Sequence, residues 1–265
     1  MVTLPGVVAA VWTDPHLLHL GLLFSLPALL ILLCHELGHY LACRHYGLPA
    51  TLPYFLPTPI GIGTLGAFIR IRAPIRFKRE LFDVGVAGPL AGAVVLLPFL
   101  VLGIAWSRPA DLRAIPAEWP LLVPGESLLF AGLRWLFHGE LGPDQFLHLH
   151  PFALAAWFGL LATSLNLLPL GQLDGGHVLY AAVGARQRRL AVPLWLALGA
   201  LGWFWPGWLL WCLLTLLLRL YHPPVVDEQV PLDRRRRAVA WLTLVLFLLS
   251  FMPVPVSEWI SVAEP

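Results

Sequence analysis

Hydrophobic residues in this chain come in long, nearly uninterrupted blocks, not at the alternating spacing of half-buried elements. The blocks fall at about residues 16–45, 82–106, 151–183 and 237–254. Each approaches or exceeds the ~20 residues a helix needs to cross ~30 Å of hydrocarbon. A fifth block, 190–220, is too long for one crossing, and its centre reads WFWPGW. Proline ends helical hydrogen bonding there and tryptophan favours the membrane–water interface, so the block divides into two tightly connected helices. Six crossings result, some of them short. The amphipathic segment 125–139 is expected to lie flat at the interface.

Composition agrees with this pattern. Of 265 residues, 58% are hydrophobic and 12% charged, and the mean hydropathy is +0.78. Soluble domains lie nearer ~45–50% apolar and ~25% charged. The fold class expected is therefore an all-α polytopic membrane protein. No internal repeat and no inserted soluble domain are visible, so residues 1–265 read as one membrane-embedded domain. Its catalytic core would span about 16–183, with C-terminal helices over about 190–254. The lipid bilayer is the first partner implied. A net charge of +2 says little about partners, and no nucleic-acid partner is expected. Cys34, Cys43 and Cys212 lie in or beside apolar runs without a CxxC pair, and read as buried small hydrophobes. The first residues lack a basic n-region, so no cleavable leader is expected.

Charge placement orients the bundle. Arg44, Arg70, Arg72, Arg76, Lys78 and Arg79 lie between the first two crossings, and Arg186, Arg188 and Arg189 follow the third. Arg219 and the DRRRR run at 233–237 lie between the fifth and sixth. Six crossings put all three clusters on one side, which the positive-inside rule makes cytoplasmic. Both termini then lie on the far side. Without a recognisable transit peptide, the expected location is a bacterial cytoplasmic membrane.

Chemistry enters at residues 34–40, CHELGHY. His35 and His39 stand at i and i+4, neighbours on one helix face, a separation at which two imidazoles can share one zinc ion. Glu36, rotated off that face, has the position of a general base toward water. Two packing histidines would be the plain alternative. Ionisable groups within a membrane cost roughly 2.5–3.5 kcal/mol or more each, so three together require a reason. A catalytic zinc needs a third protein ligand, and the other intramembrane acid is Asp174, in NLLPLGQLDGGH (166–177). Pro169 and Gly171, Gly175 and Gly176 should break that helix and re-aim its side chains. Asp174 could instead cap the following helix.

HELGH followed by NLLPLGQLDGG resembles the site-2 protease family of intramembrane zinc metalloproteases, which pair an HExxH helix with an NxxPxxxLDG helix. The intervening GVAGPLAG (85–92) is similar to the family's glycine–proline motif. The resemblance covers about residues 30–180 and implies one Zn2+ per chain, with His35, His39 and Asp174 as ligands and Glu36 as general base. It also implies that Asn166 binds the substrate carbonyl or the oxyanion, and that the substrate is a transmembrane protein. Gly92 stands where some members carry Asn. No segment resembles a PDZ or CBS domain, so a minimal catalytic core is expected.

Between the first two crossings, Ile69 and Ile71 alternate with Arg70 and Arg72 after a proline-rich run. That spacing predicts a strand or re-entrant hairpin over 66–72 beside the metal, able to hold an extended substrate. His177 is a candidate neighbour of the ligands. His16, His19, His45, His148 and His150 are expected away from them. A transporter or channel-like protein with a structural metal site is the alternative, since broken helices also line transport sites.

Overall fold

The computed structural model describes residues 15–58, 64–111 and 121–260. Helix α1 (Pro15–His45) and helix α2 (Lys78–Trp106) form an antiparallel pair. Strands β1 (Tyr54–Pro57) and β2 (Thr64–Phe68) lie between them. Strand β3 (Arg108–Asp111), strand β4 (Leu121–Pro124), helix α3 (Leu128–His138) and strand β5 (Gln145–His148) lead to helix α4 (Pro151–Asn166). Helix α5 (Asp174–Val183) follows, then α6 (Gln187–Leu201), α7 (Gly207–Leu217), α8 (Arg234–Ser250) and strand β6 (Val256–Ile260).

The stretches Leu18–His45 and Lys78–Trp106 are long and apolar enough to cross a membrane. Helix α1 ends where Gly47 turns left-handed (φ +66). The Leu48 N–H reaches back to the Cys43 carbonyl at 2.8 Å, satisfying a terminal acceptor. The expected crossing over 151–183 is two helices, broken at 167–173 where Pro169 and Gly171 lie. The 190–220 block is also two helices, of 15 and 11 residues, reaching roughly 22 and 16 Å. Trp203 and Phe204 at their turn are exposed, as interfacial aromatics are. Asp233 caps α8, accepting from the Arg236 N–H at 2.9 Å.

Large apolar side chains cover much of the helix surfaces, and several polar ones are buried. Leu26, Leu41, Val94, Leu217 and Trp241 are exposed on helix surfaces, while Ser164, Gln187, Thr215, Thr243 and Ser250 are buried. One apolar core joins α1, α2, α3 and α4 around Ile31, Leu100, Ile104, Trp157 and Leu160. A second surrounds Trp208 and Leu198 on α7 and α6. A third packs Phe82 and Val86 of α2 against Tyr180 and Ala181 of α5. At one end Arg236 of α8 makes a two-pronged contact with Asp83 of α2 (Nε–Oδ1 2.9 Å, Nη2–Oδ2 2.6 Å). Tyr46, just past α1, donates to the same carboxylate.

Two expectations need correction. The strand predicted at 66–72 forms at Thr64–Phe68 and pairs antiparallel with β1, inside the proline-rich run. Ile69 and Arg70 lie beyond it. The chain still runs beside 49–51, where Arg70 and Thr51 exchange hydrogen bonds and Ala50 bridges Ile71. Proline at 53 and 57 interrupts regular pairing without preventing extension. The all-α expectation, with strands only between the first two crossings, also misses two further sheets, β3 with β5 and β4 with β6. They assemble from short segments far apart in sequence, which local periodicity does not reveal. Both termini, placed on the far side by the charge pattern, end outside the described residues.

Candidate metal centre

The close approach of α1 and α2 is made by glycine. A β-carbon on Gly38 of α1 would lie 2.3 Å from the Ala87 carbonyl oxygen, so the helices touch backbone to backbone. Along α2, Gly85, Gly88 and Gly92 repeat at intervals of three and four and share one face. A β-carbon at Gly88 would sit 2.1 Å from His39 Nε2, and one at Gly92 3.3 Å from His35 Cβ. The glycine–proline segment therefore makes room for the two imidazoles. Gly92, where some family members carry Asn, presents no polar group and borders His35 directly.

His35 and His39 are both buried. The Nδ1–H of His39 donates to the Val84 carbonyl at 2.7 Å. A carbonyl only accepts, so this bond places the lone pair of a neutral His39 on Nε2. That Nε2 lies 3.1 Å from His35 Nε2 and 3.3 Å from Asp174 Oδ2. His35 Nε2 is 3.2 Å from the same carboxylate oxygen. Three donor atoms on two helices thus form a nearly equilateral triangle.

A tetrahedral zinc ion with ~2.0–2.1 Å bonds sets its ligands about 3.3–3.4 Å apart. The triangle fits within a few tenths of an ångström. Two imidazoles and one carboxylate are also a suitable donor set for that ion. Among the described residues, His35, His39 and Asp174 form the one group of three or more such side chains able to hold a metal.

Asp174 arrives from the break between α4 and α5, in the first turn of α5. Asn166, the last residue of α4, brings Nδ2 to 3.5 Å from His35 Nε2. Glu36 is half-buried, with Ile69, just past β2, close to its carboxylate. The hairpin therefore abuts the helix face that carries the carboxylate. A cavity of about 150 Å³ lies between Leu32 of α1, Thr64 and Gly66 of β2, and Ala162 and Leu165 of α4.

All five residues singled out in the sequence, His35, Glu36, His39, Asn166 and Asp174, gather here. His177 packs under Gly85, where a β-carbon would lie 2.9 Å from its own Cβ, and bonds to His222. His19 and His45 are exposed, His148 lies in β5 and His150 caps α4. Sequence reasoning missed the Val84 carbonyl, which carries no side-chain signal. It also missed His222, which no motif contains.

A family model for peptidase family M50 matches residues 23–196. The chain belongs to peptidase family M50, the site-2 protease family. It is similar to "Probable zinc metalloprotease EGY1, chloroplastic" of Arabidopsis thaliana, 31% identical over 282 residues, covering 98% of this chain and 50% of that protein. The protein of the same name in Oryza sativa subsp. japonica is 32% identical over 244 residues, covering 89% of this chain and 40% of the relative. "Probable zinc metalloprotease EGY2, chloroplastic" of Arabidopsis is 31% identical over 243 residues, covering 91% and 43%. This chain spans about half the length, or less, of these relatives. The transporter alternative gains no support from them.

Proposed function

We propose that this protein is an intramembrane zinc metalloprotease that hydrolyses peptide bonds within or near transmembrane segments of membrane-protein substrates. The observation that carries the reading is the 3.1–3.3 Å triangle of His35, His39 and Asp174 donor atoms within an apolar helical bundle. These three residues would hold one Zn2+. When bound, zinc supplies Lewis-acid polarisation of the scissile carbonyl and makes a water molecule more acidic.

Glu36 is the general base: its carboxylate takes the proton of the attacking water and passes it to the leaving nitrogen. Asn166 donates from Nδ2 to the developing oxyanion. Strand β2 orients the substrate, offering backbone groups to a segment that has given up its helical hydrogen bonds.

The bundle sits in the bilayer with six crossings, α6 and α7 forming a short pair. The basic segments around Arg44, Arg186 and Arg234 mark the side from which water reaches the site. The plant relatives are chloroplastic by name and lend nothing to a bacterial inner membrane. The reading therefore extends to a membrane with the site toward the basic face.

Metal analysis of the purified protein together with cleavage of a single-span model substrate tests this reading. Wild type should carry about one zinc and cleave, while Glu36→Gln should keep the zinc and lose cleavage. A wild-type protein without zinc, or full cleavage by Glu36→Gln, overturns it.

A further inference from the structure

Asp174 stands on an insecure piece of helix. It lies in the first turn of the 10-residue α5, and the preceding residue, Leu173, makes no side-chain capping bond. Gly175 and Gly176 follow, both poor helix formers. Elsewhere Ser127 caps α3, His150 caps α4 and Asp233 caps α8. A metal ligand placed here must be fixed from outside its own helix.

The connection between α7 and α8 supplies contacts on both sides of Asp174. Ahead of it, Gly171 donates its N–H to the Leu220 carbonyl at 3.1 Å. Gly171 is left-handed (φ +55), and a β-carbon there would lie 2.5 Å from the Arg219 carbonyl oxygen. Arg219 itself takes φ +71, a conformation a non-glycine residue adopts at a cost.

Beyond Asp174, His177 Nδ1 lies 2.8 Å from His222 Nε2. His222 Nδ1 lies 2.6 Å from the Pro223 carbonyl oxygen, which only accepts. Nδ1 therefore carries the proton, Nε2 is the acceptor, and His177 donates to it. His222 is 3% exposed, and burial holds its imidazole below the ordinary pKa, in the neutral form this bond requires. The Tyr180 ring stacks on His222 at 4.4 Å, and its hydroxyl donates to Glu228 of the same connection. The Asp227 N–H donates to the Arg76 carbonyl at 3.0 Å, tying the connection to the start of α2.

We propose that His222 is a positioning residue for metal binding: through its bond to His177 it holds the first turn of α5, and with it Asp174, against the histidines of α1. It replaces the missing cap with a contact from a distant segment, as groups behind metal ligands commonly do. The inference rests on the zinc-site reading above.

The test is zinc affinity of the 265-residue protein by chelator competition, with the absorption spectrum of the cobalt-substituted protein as a second readout. His222→Leu removes the acceptor, whereas His222→Gln keeps one near the place of Nε2. Zinc affinity should fall about 10–100-fold in His222→Leu and return to within about threefold of wild type in His222→Gln. The cobalt spectrum should shift only in the Leu variant. If His222→Leu does not fold, His177→Leu breaks the same bond from the other side and should give the same loss. Wild-type affinity and spectrum in whichever of these two variants folds overturn the proposal, as does failure of His222→Gln to restore binding. A wild-type chain that binds no zinc would instead sink the metalloprotease reading itself.

Discussion

Gly88 of α2 lies where a β-carbon would stand 2.1 Å from His39 Nε2, the atom facing Asp174. The smallest residue of one helix thus fixes how far the His39 ring on another can advance. Gly88→Ala ought to strengthen a helix by propensity. It should instead displace the His39 ring and lower zinc affinity by about 10–100-fold, as loss of ligand support does. Gly21→Ala is the control, because nothing lies within 4 Å of its added carbon. Isothermal zinc competition on both variants separates them, and unchanged affinity in Gly88→Ala would mean that α2 yields instead of the ring.

Removing a ligand differs from removing the base. His39→Ala and Asp174→Ala should each lose most bound zinc along with proteolysis. Metal content after dialysis decides this, and full retention in Asp174→Ala would take that carboxylate out of the ligand set.

Asn166 lies close to the metal triangle without being one of its three corners. Asn166→Ala should keep about one zinc per chain while turnover falls on the order of 10²–10³, the loss seen when an oxyanion donor is removed. Turnover near that of wild type would reduce Asn166 to a residue ending α4.

The hairpin can be tested through its backbone. Ile69→Pro removes an N–H just past β2, and Phe68→Pro disturbs the end of that strand. Both should abolish cleavage with zinc content intact. Cysteines at 67–71 should also crosslink to cysteines flanking the scissile bond in Glu36→Gln. Normal cleavage and no crosslink at any of these positions would place substrate binding elsewhere.

Topology is checked by reporter fusions. Insertions near residues 75, 188 and 234 should report one and the same side, and fusions at both termini the opposite one. A reproducible contradiction would break the count of six, most readily at α6 and α7, whose 15 and 11 residues are short for separate crossings.

The apolar blocks announced the long helices, because a lipid-facing helix must be hydrophobic along its whole length. The i, i+4 spacing of His35 and His39 fixed a shared helix face, and Pro169 with Gly171 marked the break before Asp174. These are local consequences of helix geometry and backbone chemistry, so the chain carries them in its sequence.

What tertiary structure alone decided is distance. Asp174 is 139 positions from His35, yet its carboxylate oxygen lies 3.2 Å from that ring. Nothing local sets that approach. It depends on bare glycines letting α1, α2 and α5 touch, on the Val84 carbonyl orienting His39, and on a connection nearly fifty residues downstream. The two outer sheets likewise join segments that have no partner until the helices pack. Local sequence determines which groups are available, whereas their convergence belongs to the packing of backbones that local sequence does not bring together.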